Sequence, residues 1–510
     1  MSCKKDIKNI KKALVDSRSQ QATKRSRDVD TSQVKNQDII DDKYEGLYSK
    51  GLKHDSVTML AEESDIKELQ LALETGGQSD FDDIKLEGAR KLASPQGSLS
   101  LELSGGDPEG FSMKVAPSLS SRETAAEMAE VYLKNIMRDK PFKDYEDGSP
   151  EIADALSVLN AFGADFKGPK DMGSVTAKTL FRGSSPGCLV GGYISQLFLN
   201  EIGVGNFSYE PKGPTKTGIY GVTKSNYVDI QNGNVPVPQS IDPVKKFMFN
   251  GRQLGSTVHI DLVFQHFYEA AAILLNAGVG VGGQVAVGPK EGNFLGGPVL
   301  TTTAISEVSR HALKAAWVQK WRKHLRIRPE GCAARVVAEK DGDIPSGTVH
   351  PDLLSSMVIG MVEAYNMSNG GEQKAFLPLQ YAEGSPTHPA YPAGHATIAG
   401  ACATILKIMF ADGLWSTTGL SEVQGSGDGS ALEPYMAADA GLITIHGEIN
   451  KLAHNIALGR DYAGVHYRSD SELELGEKVA IQYYKDQKAL FNEDIGDVTF
   501  TKFDGSSITI

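Results

Sequence analysis

The sequence predicts a mainly α-helical protein: one large domain with a few short strands in its loops and an extended amino-terminal arm. Three observations support this prediction. Apolar residues recur at helical spacing in most segments after residue 120. The stretches between these segments are rich in Gly, Pro and Asn. No internal repeat or change in composition divides the chain beyond that point, so its 510 residues are expected to form one body rather than about three average domains.

The amino-terminal quarter has a different composition from the rest. Residues 1–45 mix Lys, Arg, Asp, Ser and Gln with few large apolar side chains, so we expect an arm that does not fold alone. Residues 46–120 are expected to form a mixed extension, with one strand over Ser98–Ser104, where polar and apolar residues alternate. Residues 121–510 are expected to form the helical domain.

The predicted helices begin at residue 121, where Ser121 can cap a run that carries acidic side chains in its first turn. Apolar periodicity predicts further helices over 149–162, 241–249, 258–277, 302–327, 350–366, 396–411, 434–458 and 470–490.

Charge and hydropathy restrict the class of function. The chain has 52 Lys and Arg against 64 Asp and Glu, a net charge of −12, which argues against binding nucleic acid or an anionic membrane surface. No run of about 18 apolar residues predicts a membrane span, and the basic start lacks the apolar core of a secretory signal. The four cysteines are widely spaced, which is more typical of reduced thiols than of a disulfide framework. These features predict a cytoplasmic or otherwise intracellular protein.

The first candidate cluster is basic and precedes Pro329. Six basic or imidazole side chains occur between Lys320 and Arg328, and Pro329 is expected to end the helix at Arg328. On an ideal helix Lys320 and Arg328 would lie about 80° apart, near enough to reach one small anion. A solvated helix face is the alternative for this cluster alone.

The second cluster is a stiff loop that contains two histidines, His388 and His395. Two prolines and Gly394 precede a run of small residues with helical character. Gly394 and His395 are therefore expected at a helix amino terminus, where free N–H groups favour an anion. Purely structural histidines are the alternative.

The third cluster follows a predicted helix that is expected to end at Gly459. Arg460 would then begin a turn, with His466 six residues further on. Asp470 could accept a hydrogen bond from the second imidazole nitrogen of His466 and so fix its tautomer.

Together the clusters fit a tetrahedral oxyanion better than a metal cation. They supply three cations (Lys320, Arg328 and Arg460), a helix amino terminus and two histidines. One histidine could bond to the central atom while the other acts as acid and base on the opposite side. Zinc is disfavoured because the fixed cations would repel it.

These motifs resemble the superfamily of vanadium-dependent haloperoxidases, type-2 phosphatidic acid phosphatases and bacterial acid phosphatases. The family pattern of Lys…Arg-Pro, Pro-Ser-Gly-His and Arg…His…Asp is matched, with one exception, by these three clusters. Longer stretches are similar to the red-algal and cyanobacterial vanadium bromoperoxidases from about residue 95 onward, including AEMAEVYL, RHALKA, AEGSPTHPAY, GHATIAGACATILK and KFDGSSITI.

The resemblance implies a fold, a cofactor and an activity. The fold would contain two four-helix bundles whose loops meet at bound vanadate, in a homo-oligomer that is a dodecamer in red-algal relatives. Structural calcium occurs in some relatives. The enzyme would use hydrogen peroxide to oxidise bromide and iodide to hypohalous acid, which halogenates small organic substrates.

The resemblance also implies a role for each matching residue. His466 would be the axial vanadium ligand and Asp470 its hydrogen-bonding partner. Lys320, Arg328 and Arg460 would neutralise the equatorial oxygens, to which the Gly394 N–H would donate. His395 would act as the acid and base, Lys320 would also polarise the activated peroxide, and His388 would be a further catalytic residue.

Two differences from the red-algal relatives affect the expected chemistry. Ala393 replaces the usual Ser, so one hydroxyl hydrogen bond to the anion is absent, and weaker vanadate retention or altered peroxide activation is expected. Trp317 matches the fungal chloroperoxidases, whereas His388 matches the bromoperoxidases. We therefore hypothesise a halide pocket formed by Trp317 and His388 that allows some oxidation of chloride besides bromide and iodide. Core packing is the alternative role for Trp317.

Two other functions compete with haloperoxidase activity. An acid phosphatase of the same superfamily would use His466 as its nucleophile, because vanadate mimics the geometry of phosphoryl transfer. An oligomeric scaffold or anion store with an inactive site is the non-enzymatic alternative, and the intact set of cations and histidines argues against it.

Overall fold

The computed structural model describes residues 35–102, 105–280, 297–490 and 495–510, with isolated positions between 9 and 20. Its helices up to residue 280 are α1 Gln37–Ile40, α2 Glu63–Thr75, α3 Gln78–Asp82, α4 Arg122–Ile136, α5 Pro150–Ala161, α6 Lys224–Gln231, α7 Gly251–Thr257 and α8 Gln265–Asn276. Those that follow are α9 Pro298–Val318, α10 Pro329–Asp341, α11 Pro351–Leu354, α12 Met357–Ser368, α13 Gly394–Met409, α14 Ile445–Tyr462 and α15 Glu474–Leu490.

The described strands form four separate antiparallel pairs, each joined within itself and not to the others. They are β1 Ile202–Val204 with β2 Phe207–Tyr209, β3 Gly213–Lys216 with β4 Ile241–Lys246, β5 Val423–Gly425 with β6 Leu432–Pro434, and β7 Thr499–Thr501 with β8 Ser507–Thr509. The β3–β4 register shifts between Gly213 and Thr215. The prediction of a mainly helical fold with short strands in its loops is confirmed.

The long helices pack in two groups around a continuous apolar core. Helix α4 contacts α10, α12 and α14, while α13 contacts α9, α14 and α15. Small residues allow the second group to pack closely, because a Cβ at Gly476 would collide with the backbone of α13 and one at Gly400 with the backbone of Leu473, just before α15. Helix α14 belongs to both groups, and its last turn reaches the candidate site.

Several predicted elements are wrong in type or extent. Residues 241–249 contain the strand β4 rather than a helix, because Ile241, Pro243 and Val244 suit an edge strand that needs no donor at Pro243. The predicted helix over 434–458 begins only at Ile445. The strand expected over Ser98–Ser104 is absent from the described residues 98–102, which begin within a 3₁₀ turn over Pro95–Leu99.

The amino-terminal arm lies mostly outside the described residues. Its last part contacts the domain: buried Asn36 donates to the His324 carbonyl oxygen at 3.0 Å, and buried Asp38 accepts from the Leu119 N–H at 2.9 Å. The boundaries at residues 45 and 120 remain predictions. Of the helices that the structure describes, none is both long and apolar enough to cross a membrane.

Candidate active site

All three sequence clusters meet at one buried location beneath the ends of α9 and α14. Lys320, Arg328 and Arg460 are 0%, 2% and 3% exposed. Each of the three charges acts electrostatically on His466, and so does the imidazole of His388. The fold therefore brings together residues of the three segments that the sequence analysis assigned to an anion site.

Lys320 reaches the site through a break in helical geometry. Helix α9 ends at Val318, a π-helical turn follows over Gln319–His324, and Leu325 adopts a left-handed conformation with φ of 44°. The expectation that one helix carries both Lys320 and Arg328 is thus wrong. The Lys320 Nζ instead donates to the carbonyl oxygens of Pro389 and Ala390 at 2.7 and 2.9 Å, joining the first cluster to the second.

Arg328 is the central connector of the site. It precedes α10, a helix that the sequence analysis missed because Pro329 was interpreted only as a terminator. Its guanidinium donates to the carbonyl oxygens of His388 and Val465 at 2.9 and 2.7 Å. The same group lies 2.9 Å from His466 Nε2 and 2.9 Å from His388 Nδ1.

Arg460 lies within α14, so the prediction that the helix ends at Gly459 is wrong. Gly459 serves close packing, since a Cβ there would lie 3.0 Å from the Val258 side chain and 3.1 Å from Leu254. Arg460 Nη1 donates to the Val258 carbonyl oxygen, whereas its buried Nε has no hydrogen-bond partner among the described residues. That N–H is available to an anion.

The His466 ring is oriented by Asp470, as the spacing predicted. Asp470 Oδ2 lies 2.9 Å from His466 Nδ1 and 3.1 Å from the Tyr467 backbone nitrogen. Asp470 Oδ1 accepts from buried Arg326 at 2.8 Å, so the carboxylate is firmly held. We assign the proton to Nδ1, so the lone pair of Nε2 accepts from the Arg328 guanidinium at 2.9 Å, and a ligand at Nε2 would replace that hydrogen bond.

The amino terminus of α13 lies where the second cluster predicted. The helix begins at Gly394, and Ala393 occupies the N-cap position without a side-chain hydrogen bond. His395 Nε2 lies 2.9 Å from Asp261 Oδ1. Asp261 was missed by the sequence analysis, because its position in the loop between α7 and α8 has no spacing relation to His395.

Trp317 and His388 contact each other at the edge of the site. Their ring centroids are 4.9 Å apart, and the Trp317 indole N–H donates to the Ala93 carbonyl oxygen at 3.1 Å. Trp317 also packs against the apolar cluster around Trp321. The indole thus has a packing role as well as a position beside His388.

Burial and mutual repulsion lower the pKa values of four basic groups in the site, Lys320, Arg328, His388 and His466. Burial, followed by the Arg328 charge, lowers the pKa of Lys320 well below its usual value, and burial lowers that of Arg328 to about 10. Burial and the neighbouring cations also lower the pKa values of His388 and His466 well below the ordinary range. A bound anion would relieve this repulsion.

Among the described residues, Lys320, Arg328 and Arg460 have no carboxylate at contact distance. Within residues 35–102, 105–280, 297–490 and 495–510, no carboxylate oxygen lies within 4.0 Å of a side-chain nitrogen of Lys320, Arg328 or Arg460. By contrast, Arg326 contacts both Glu127 and Asp470 at 2.8 Å. Buried charges ordinarily require partners, so the site fits an anion such as vanadate.

The remaining basic residues of the first cluster do not form a solvated face. Arg326 and His324 are buried, and Arg322 is bound to Glu109. The alternative of an exposed basic helix surface is therefore wrong. In the part of the chain that the structure describes, no group of three or more His, Cys, Asp or Glu side chains could hold a metal cation.

Comparisons with known proteins agree with the resemblance that the sequence motifs indicate. A family model described as the VCPO second helical-bundle domain matches residues 302–493. The chain is 30% identical to the vanadium-dependent bromoperoxidase of Corallina pilulifera, in an alignment that covers 93% of this chain and 92% of that protein. It is also 30% identical to the vanadium-dependent bromoperoxidase of Ascophyllum nodosum, with 82% and 77% covered.

A solved structure extends the similarity to the whole fold. The homohexameric structure of the second vanadate-dependent bromoperoxidase from Ascophyllum nodosum aligns with a TM-score of 0.87. The alignment has 26% identity and covers 98% of this chain and 90% of that chain.

Proposed function

Because the chain belongs to the vanadium-dependent bromoperoxidase family, we propose that it binds vanadate at the buried cationic site and oxidises bromide and iodide with hydrogen peroxide. The observation that carries this proposal is the convergence of Lys320, Arg328 and Arg460 beside His466, where no carboxylate of the described residues lies within 4.0 Å of any of the three cations. Hypohalous acid would be the product, and it would halogenate small organic substrates.

The residues present fit vanadate as an anion with one nitrogen ligand. His466 would bind the metal through Nε2, because Asp470 holds Nδ1, and the Arg328 N–H that now contacts Nε2 would turn to an oxygen of the anion. Lys320, Arg328 and Arg460 would neutralise its oxygens, and the Gly394 N–H at the start of α13 would donate to them. Bound vanadate would supply a Lewis acid that activates peroxide toward a halide without changing oxidation state.

His395 is proposed as the acid and base of the reaction. Asp261 occupies Nε2, which leaves Nδ1 to exchange a proton with peroxide. Burial and then the Arg460 charge lower the pKa of His395 below its usual value, whereas Asp261 opposes this shift. A neutral imidazole, ready to accept a proton, is the expected resting form near neutral pH.

The Asp261–His395 contact leads to a prediction for an Asp261→Asn variant. We expect turnover in bromination to fall about tenfold or more, because a charged acceptor no longer orients His395. Vanadate affinity should change much less, because Asp261 lies within 4.0 Å of none of the three cations. Steady-state bromination and equilibrium dialysis would separate the two effects.

A matched control for this variant is Glu102→Gln, which alters a contact of 3.2 Å with His311 Nδ1 on α9, where the charges that act on the histidine come from Glu102, Arg310, Lys314 and Glu307. Equal losses of turnover in both variants would contradict the orienting role of Asp261.

The missing hydroxyl at Ala393 gives a gain-of-binding prediction. Ala393 is fully buried at the N-cap of α13, next to Gly394. An Ala393→Ser variant should bind vanadate about tenfold more tightly, because a hydrogen bond to a charged acceptor is worth about 1.5–3 kcal/mol. If serine merely caps the helix, Tm would rise while vanadate affinity and turnover stayed unchanged, and the prediction would be wrong.

The contact between Trp317 and His388 leads to a proposal about which halides the enzyme oxidises. The indole supplies an apolar surface that can desolvate a halide. We therefore expect the wild-type enzyme to chlorinate monochlorodimedone slowly in addition to brominating it. Bromination without detectable chlorination would contradict the chloride part of the proposal.

An acid phosphatase remains the competing activity on the same residues, with His466 as nucleophile. Family membership favours the haloperoxidase. The experiment that decides is bromination by the purified chain with peroxide, with and without orthovanadate, beside hydrolysis of p-nitrophenyl phosphate by the apo protein. Vanadate-dependent bromination supports the proposal, whereas phosphatase activity without any bromination reverses it.

The proposal also covers the oligomeric state, structural calcium and the cellular location of the protein. We propose a homo-oligomer, with twelve subunits expected from the resemblance and six in the solved relative from Ascophyllum nodosum. Sedimentation equilibrium would distinguish the two numbers. Structural calcium and an intracellular location remain predictions of the sequence analysis.

A further inference from the structure

A second cleft lies away from the proposed vanadate site. It has a volume of about 420 Å³ and lies between the segment around Phe142, the loop around Gly191 and the β5–β6 hairpin. Neither the three proposed vanadate-binding cations nor the site histidines line it. Its volume falls in the range of small-molecule sites, about 300–1,000 Å³.

A nearly buried arginine lines this cleft with part of its guanidinium unused. Arg182 is 8% exposed, and its Nη2 donates to the carbonyl oxygens of Gly191 and Gly192 at 2.9 and 2.8 Å. Among the described residues, its Nε and Nη1 have no hydrogen-bond acceptor, and no carboxylate lies within 4.0 Å of the guanidinium. The unused N–H groups suit a carboxylate ligand.

The charge of the lining is opposite in sign to that of the whole chain. The lining contains Lys143, Lys178 and Arg182 but only one acidic residue, Glu146, although the chain carries a net charge of −12. Lys143 contacts Glu433 at 3.0 Å and Lys178 contacts Asp439 at 3.3 Å, in partly exposed pairs. Exposed pairs of this kind contribute little, so Lys143 can turn toward an anionic ligand. Asp439 also accepts from the Gly191 N–H at 3.1 Å and the Tyr435 hydroxyl at 2.9 Å, so Lys178 adds charge at the rim from a more fixed position.

Aromatic side chains form one wall of the same cleft. Phe142 and Tyr193 stack with ring centroids 3.9 Å apart, and Phe249 and Tyr435 also line the space. Aromatic walls favour a flat apolar body through stacking and edge contacts. The combination of this wall with a cationic end is selective for a ligand that is both aromatic and anionic.

We propose that this cleft binds a small aromatic carboxylate, with the carboxylate on Arg182 and the ring against the wall formed by Phe142, Tyr193 and Tyr435. Lys143 and Lys178 add attraction at the rim. The neutral analogue of the same ligand binds weakly, because it cannot pair with the guanidinium. The site is separate from halide oxidation and does not require vanadate.

The test uses benzoate as the probe and benzyl alcohol as its neutral match, with calorimetric titration of the full chain without vanadate. We expect saturable 1:1 benzoate binding that is at least tenfold tighter than benzyl alcohol binding. Equal affinity for the two probes would overturn the proposal. So would displacement of benzoate by an equal concentration of inorganic phosphate, because the aromatic wall would then contribute nothing.

Variants of the lining residues test whether benzoate binds in this cleft, and a control variant distinguishes loss of binding from loss of folding. Arg182→Gln should abolish benzoate binding, and the rim variant Lys143→Ala/Lys178→Ala should weaken it at least threefold while leaving the fold intact. Arg335→Gln is the matched control, because Arg335 is also buried and also donates to backbone carbonyl oxygens, at Glu45 and Met59. Unchanged benzoate affinity in the rim variant, or a loss in the Arg335 control equal to that in Arg182→Gln, would contradict the assignment.

Discussion

Replacing His466 with alanine is expected to abolish stoichiometric vanadate binding and to lower peroxide-dependent bromination at least a thousandfold. The imidazole supplies the nitrogen proposed to bond to vanadium, and Asp470 orients it at 2.9 Å. Without that bond the anion would be held only by charge and hydrogen bonds. Equilibrium dialysis with orthovanadate and a bromination assay would measure the two losses.

A second buried histidine provides the control for this variant. His454 lies on helix α14 and contacts the Ser185 hydroxyl at 2.9 Å, outside the cationic site. His454→Ala should therefore retain vanadate binding even if its stability falls. Stoichiometric vanadate binding by His466→Ala would show that the ligand lies elsewhere.

Replacing Arg328 with methionine should have the next largest effect, raising the Kd for vanadate at least a hundredfold. Arg328 joins all three segments, since its guanidinium contacts His388, His466 and the Val465 carbonyl oxygen. The variant removes one of three cations and frees both histidines. Arg328→Lys should recover part of the affinity, because it restores the charge but not the planar set of donors.

The Arg335→Met variant is the matched control, because it also removes a buried arginine that donates to backbone carbonyls. Its vanadate affinity should equal that of the wild type. An equal loss in both variants would indicate a general effect on packing rather than a role in holding the anion.

The helical character of the fold was predictable because it depends on local periodicity. Helices such as α4 and α13 combine apolar spacing with recognisable starts at Ser121 and Gly394. Residues 241–249 were misassigned because an exposed two-stranded pair gives little alternation, and β4 depends on its partner β3. Gly459 was misassigned because a glycine required by close packing with Leu254 and Val258 resembles a helix terminus in sequence.

Within the candidate site, residues joined by short spacing were predictable and those joined by the fold were not. The His466–Asp470 contact spans four positions and is present. Asp261 is 134 positions from His395, and Arg326 is 144 positions from Asp470, so only the packed structure brings these pairs together. The approach of Lys320 to the second cluster also depends on the π-helical turn, which helical periodicity does not predict.

The distribution of charge explains how an acidic chain can bind an anion. The net charge of −12 belongs to the molecule as a whole, whereas Lys320, Arg328 and Arg460 are nearly inaccessible to solvent. Burial makes each of these charges more effective toward a desolvated anion than an exposed charge would be. The overall charge therefore gives no indication of the preferred ligand of the interior.

A crystal structure of the chain with bound orthovanadate would test the central claim most directly. The account predicts one vanadate per chain, with vanadium bonded to His466 Nε2 and its oxygens contacted by Lys320, Arg328, Arg460 and the Gly394 N–H. Vanadate bound elsewhere, or held at this site without a bond to His466, would contradict it.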